Sequence, residues 1–287
     1  MTSLKDKVVV ITGAARGMGR AYVQGFLAEG AKVVALDRSW EPTGLSGDED
    51  DAFRRELQGR DDVLLATADI SDAEQVQDAC EQTQRKFGAV DVLINNAGLR
   101  QRDLFQGGGR TVTLDVSDAD FERMYAVNVF GTLKVTRAFT KGMIEQRRGS
   151  VVSVITSGAI MGSNGGAYMA LRPNSREQPY TSSKAALASM MFYIADELKE
   201  HNVAVNVVVP GHTRTTGFVE QNAARAAAGR PTGPMPLKPE HIVPLVLFLA
   251  QQEGQHGATG RAFDTVTWNL EHGLGGPEQW SAPNWNE

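Results

Sequence analysis

Residues 8–26 read VVVITGAARGMGRAYVQGF, and the reading of this stretch decides the fold. Its opening run is β-branched and apolar without a break. That is how a strand covered on both faces reads. Gly13, Gly17 and Gly19 then punctuate the chain, and a helical stretch follows. Glycines allow a tight turn and let a ligand come close to the backbone. The free N–H groups at a helix N-terminus point into such a turn and favour a phosphate. A strand, a glycine turn and a helix therefore suit a pyrophosphate, with Gly13, Arg16, Gly17, Met18 and Gly19 around it. Asp37 ends the next apolar run. A carboxylate there can bond ribose hydroxyls and would repel a 2′-phosphate. A purely structural βα turn is the competing reading of the glycines alone; the flanking strand and helix, together with Asp37, favour a nucleotide.

Working outward, similar runs recur at 7–11 (KVVVI), 32–36 (KVVAL), 63–67 (VLLAT), 90–94 (VDVLI), 150–155 (SVVSVI) and 203–209 (VAVNVVV). Helix-like stretches separate them. SDAEQVQDACEQTQRKF (71–87) places Ser71 and Glu74 in capping-box spacing, and AALASMMFYIADELKEH (185–201) carries apolar residues at helical intervals. Strand and helix alternate throughout, which predicts an α/β fold: one Rossmann-like, doubly wound parallel sheet flanked by helices, in a single domain over 1–287. Residues 38–60 read as a loop with a short helix. Residues 158–179 read as an insertion, about 215–239 as a flap, and about 266–287 as a tryptophan-rich tail.

Composition narrows the class. The 287 residues are 41% hydrophobic and 22% charged, with a net charge of −5 and no basic block, so no nucleic-acid partner is expected. Cys80 is the only cysteine, so no internal disulfide can form, and the five histidines lack metal-ligand spacing. No apolar run approaches the roughly 20 residues of a membrane span, so no membrane partner is expected. The N-terminus shows no apolar signal core, and a cytoplasmic location is expected.

The glycine spacing TGxxxGxG resembles the short-chain dehydrogenase/reductase family. Later motifs agree and come in the family's order. NNAG (95–98) follows the fourth strand, Asn128 lies in NVFG, YTSSK supplies Tyr180 and Lys184, and PGHTRT (210–215) follows the sixth strand. The resemblance covers the chain from about Lys5 to Asp264. It implies hydride transfer between a nicotinamide cofactor and an alcohol or ketone. It also implies further cofactor contacts from Asp69, Ile70, Asn95, Ala97, Gly98, Pro210, Thr213 and Thr215. Members commonly form dimers or tetramers, so a homo-oligomer, with a homotetramer foremost, is expected.

Two tyrosines compete for the chemistry, each with a cation four residues on: Tyr168 with Arg172, and Tyr180 with Lys184. Residues at i and i+4 share a helix face. Pro173 disfavours helix at Arg172, and glycines precede Tyr168, so that segment reads as a loop. Tyr180 is the expected acid–base and Lys184 its partner, lowering a phenol pKa that is ordinarily about 10. Ser157, with Thr156 as the alternative, would hold the substrate oxygen. By resemblance, Asn128 would serve a proton relay.

Arg16 is compatible with NADP and Asp37 opposes it; NAD is the expected cofactor. The competing reading, from another class, is a nucleotide-sensing or scaffolding protein on the same fold without turnover.

Overall fold

A computed structural model describes residues 3–42, 51–105, 111–161, 177–227, 229 and 235–282. β1 (Val8–Thr12) leads through the glycine turn into α1 (Gly17–Ala28). β2 (Lys32–Asp37), α2 (Ala52–Leu57), β3 (Val63–Thr67) and α3 (Ala73–Phe87) complete the first half. β4 (Val92–Asn95), the short α4 (Gln101–Leu104), α5 (Asp118–Tyr125), a π-helical turn at Ala126–Gly131, α6 (Thr132–Gln146) and β5 (Gly149–Val154) follow. After α7 (Ser157–Met161) come α8 (Tyr180–Lys199), β6 (Val203–Val209) and α9 (Thr216–Ala227). The chain then forms α10 (Val243–Ala250), β7 (Ala262–Asp264), α11 (Thr265–Glu271) and α12 (Pro277–Trp280).

The seven strands form one parallel sheet in the order β3-β2-β1-β4-β5-β6-β7. Consecutive residues of β1 enter opposite layers, as the two-residue period of a strand requires. Val8 and Val10 pack with Val76, Phe139, Leu187 and Met191 from α3, α6 and α8. Val9 and Ile11 pack with Tyr22, Phe26, Leu245 and Trp268 from α1, α10 and α11. All five residues of β1 are buried, which explains the unbroken apolar run. The strand order reverses between β1 and β4. A crevice therefore opens beyond their C-terminal ends, where such sheets bind ligands.

Four sequence readings are refined. The cap of α3 is Asp72, not Ser71: Asp72 Oδ1 accepts from the N–H groups of Glu74 (2.9 Å) and Gln75 (3.2 Å). Ser71 is drawn away because its Oγ donates to Asp69 Oδ1 at 2.7 Å. The seventh strand, three residues long, adds an edge that hydrophobic patterning did not show. The expected flap begins as helix α9. The tail's described part folds back on its own chain, with Lys238 N–H donating to Trp280 O (2.7 Å) and Ala282 N–H to Pro236 O (2.9 Å). Residues 162–176 of the insertion, with Tyr168, and Trp285 of the tail lie outside the described residues.

Candidate active site

The glycine turn is held by its neighbour across the sheet. Thr12 Oγ1 accepts from the N–H groups of Asn96 and Ala97, both at 3.0 Å, and Asn96 Nδ2 donates to the carbonyls of Thr12 (3.0 Å) and Gly13 (3.1 Å). Gly13 has φ +67°, a backbone state that costs a side chain dearly, and a Cβ there would lie 2.9 Å from Ala97 Cα. Gly19 has a different reason. A Cβ there would fall 1.9 Å from the Gly13 carbonyl oxygen, so this glycine packs α1 onto the turn instead of facing the cleft. Arg16, at the N-cap, makes no side-chain cap bond, and the first turn of α1 carries no acidic residue. Its N–H groups are thus not taken by a capping side chain.

One cleft is lined by Gly13, Arg16, Gly17, Met18, Asp37, Asp69, Ile70, Ala97, Gly98, Tyr180, Lys184 and Thr215. An uncapped helix start, small residues over it and a carboxylate at the end of the next strand fit a dinucleotide. Asp37 is engaged from both sides, its Oδ2 accepting from Ala15 N–H (3.0 Å) and its Oδ1 from Ser39 N–H (3.3 Å). Among the described residues, no cluster of three or more His, Cys, Asp or Glu side chains could hold a metal.

Tyr180 is the first residue of α8, and Lys184 follows one turn later on the same face. Lys184 is buried, and its Nζ donates to the Val154 carbonyl at 2.9 Å, at the end of β5. Burial lowers its pKa to about 8. Burial also pushes the Tyr180 phenol up to about 12; the Arg100 charge pulls it back, while Glu177 and Asp103 push it further up. Desolvation of the phenolate is the largest of these influences on Tyr180.

Asn128 lies in the π-helical turn and is fully buried. Its Oδ1 accepts from Leu99 N–H (2.8 Å), and its Nδ2 donates to Leu99 O (2.9 Å) and Ser183 Oγ (3.0 Å). Gly98 separates Asn128 from Lys184: a Cβ there would lie 2.9 Å from Asn128 Oδ1 and 3.4 Å from Lys184 Nζ.

Four residues of the expected cofactor set stand away from the cleft wall. Gly19 packs as described. Asn95 is buried, and its Nδ2 donates to Thr136 Oγ1 (3.1 Å) and Ser153 Oγ (3.2 Å), which fastens β4 to α6 and β5. Pro210 and Thr213 lie in the turn after β6, where Thr213 bridges Leu237. Thr156 and Ser157 follow β5 side by side, both half-buried. Sequence reasoning missed Thr12, Asn96 and His241. The last is buried and pins the Pro210 turn: its Nδ1 lies 2.7 Å from Lys238 O and its Nε2 meets Pro210 O. The cleft wall also includes Arg38, Leu99, Arg100 and Asp103.

Residues 7–226 match the family described as short chain dehydrogenase. The chain belongs to this family. Short-chain dehydrogenases use NAD(P) and act on small molecules, and this chain is an oxidoreductase of that family. The short-chain dehydrogenase is 42% identical over 274 residues to fluoren-9-ol dehydrogenase of Terrabacter sp. (strain DBF63), covering 96% of this chain and 74% of that one. It is 32% identical over 260 residues to 3-oxoacyl-(acyl-carrier-protein) reductase FabG of Thermotoga maritima, covering 88% and 94%. The solved levodione reductase aligns with TM-score 0.71 at 25% identity, covering 91% of this chain and 96% of that one. Among the described residues, no helix is long and apolar enough to cross a membrane.

Proposed function

We propose that this short-chain dehydrogenase interconverts a secondary alcohol and its ketone with NAD(H), using Tyr180, Lys184, Ser157 and Asn128. The observation that carries the reading is the placement of Tyr180 and Lys184, one helical turn apart, on the wall of the cleft that holds the glycine turn. The nicotinamide supplies the hydride acceptor or donor. Tyr180 takes the hydroxyl proton in oxidation and returns it in reduction. Lys184 stabilises the phenolate by its charge, and Ser157, or Thr156 beside it, bonds the substrate oxygen. Asn128 orders the proton path behind Lys184.

Leu99, Val127 and Val154 supply apolar wall. With the likeness to fluoren-9-ol dehydrogenase, this makes fluoren-9-ol the first substrate to test. Tyr180→Phe should abolish its oxidation while the Kd for NADH changes little. Full activity of that variant would refute the assignment.

NAD over NADP is supported by Asp37, whose carboxylate lies in the cleft and would repel a 2′-phosphate. Asp37→Ser should narrow or invert the ratio of kcat/KM with NAD to that with NADP, with Arg16 and Arg38 as partners for the phosphate. A wild-type preference for NADP would reverse this reading.

We place the enzyme in the cytoplasm as a homo-oligomer, a dimer or tetramer. Phe192 and Tyr193 on α8 support assembly, being 37% and 73% exposed. A second reading, a nucleotide sensor without turnover, draws on the engagement of Lys184 with the Val154 carbonyl. It requires NADH binding with no turnover across a panel of alcohols and ketones.

A further inference from the structure

We infer that Gln101 is a positioning residue for Tyr180: its side-chain amide caps the first turn of α8 from outside and fixes where the phenol stands. The inference rests on the reading of Tyr180 given above.

The first N–H groups of any helix lack partners within it, and the first turn frays unless something caps it. Tyr180 sits in that vulnerable place, as the first residue of α8. The residue at the N-cap is Pro179, which makes no side-chain cap bond. Gln101, 6% exposed, meets the need from the neighbouring short helix. Its Oε1 accepts from Tyr180 N–H at 3.3 Å, and its Nε2 donates to the Gln178 carbonyl. One amide thus holds both sides of the helix start, acceptor to donor and donor to acceptor. Gln178 adds a cap of its own, its Oε1 accepting from Ser182 N–H at 3.3 Å.

The anchor of Gln101 is itself fixed. Two residues earlier, both backbone polar groups of Leu99 are bonded to the Asn128 side chain. Between them, Arg100 N–H donates to Asp103 Oδ2 at 2.7 Å, which closes the turn that starts α4. The segment 99–101 is therefore a short strut between Asn128 and Tyr180. It keeps the phenol in register with Lys184 while cofactor and substrate enter. Proton transfer depends steeply on such placement, since a displacement of about 1 Å can cost on the order of 100-fold in rate.

The test uses Gln101→Met, which keeps length but has no polar group, and Gln101→Glu, which keeps the acceptor and lacks the donor. Amide hydrogen exchange over 180–184 is measured on the full chain without cofactor or substrate. Turnover of fluoren-9-ol with NAD and the Kd for NADH are measured alongside. Exchange over 180–184 should quicken in Gln101→Met, less so in Gln101→Glu, and stay as in wild type over the rest of α8. For Gln101→Met, kcat should fall about 10-fold with NADH affinity kept. Wild-type exchange over 180–184 in both variants would overturn the inference, as would a drop in kcat matched by an equal loss of NADH affinity. Exchange decides the capping role even if Tyr180→Phe keeps its activity, a result that would sink the catalytic reading instead.

Discussion

Tyr180 shows what burial does to a reactive group. Its phenol is pushed up to about 12, so the side chain is protonated at neutral pH; in the role proposed for it, Tyr180 would be ready to give a proton to a ketone and short of base for an alcohol. Lys184, lowered to about 8, loses charge as pH climbs past that value. The phenolate fraction grows about tenfold per pH unit below the phenol's pKa, so kcat/KM for alcohol oxidation should rise with pH through the neutral range. Ketone reduction, which needs the proton in place, should stay flat there. Initial rates in both directions across pH would check this, and an oxidation rate that falls with rising pH through neutrality would contradict it. Tyr180, Lys184 and Asp37 were legible in the sequence because neighbours along the chain reveal them: a helical turn in one case, a strand end in the other. Gln101, Asn96 and His241 were not legible. Their partners lie far along the chain, at Tyr180, Thr12 and Pro210, and linear spacing carries no trace of such pairs.

At the level of elements, the six long strands were legible because burial on both faces demands unbroken apolar runs. The edge strand β7 has two exposed residues among its three and left no such mark. The start of α3 was misread by one residue, since Ser71 and Asp72 are both good caps and only the competing bond to Asp69 separates them. The glycine turn is legible in the sequence as a strand–turn–helix unit, but its glycines have separate duties. Gly19→Ala tests that division. The added methyl would press on a backbone carbonyl that cannot swing aside, so α1 must shift on the turn. Overpacking of this kind costs about 1–3 kcal/mol, and the displaced helix start should also weaken NADH binding. Thermal denaturation and an NADH titration would show both effects; a variant with wild-type values in each would mean that the turn yields more easily than its contacts imply.

In the whole molecule, the cleft and a buried carboxylate that ties strand starts together lie at opposite ends of the sheet. Asp91, just before β4, accepts from Val8 N–H at 3.0 Å, from Lys7 Nζ at 3.1 Å and from Arg148 Nε at 3.0 Å. One buried carboxylate therefore ties the starts of β1, β4 and β5, away from the cleft. Asp91→Ala should destabilise the fold by about 2 kcal/mol, chiefly through the orphaned Val8 amide, because the exposed Arg148 adds little. Denaturant titration would measure the loss, and kcat should be unchanged; a matching loss of kcat would show that the two ends are coupled. The strand order has a further consequence, one that concerns the protein's birth. During synthesis β1, β2 and β3 leave the ribosome together and can pair at once, but the free side of β1 must wait for Val92–Asn95. For that interval the nascent chain carries an open strand edge, its backbone N–H and C=O groups unpaired between the apolar side chains of Val8 to Ile11, the kind of surface that chaperones guard and aggregates recruit.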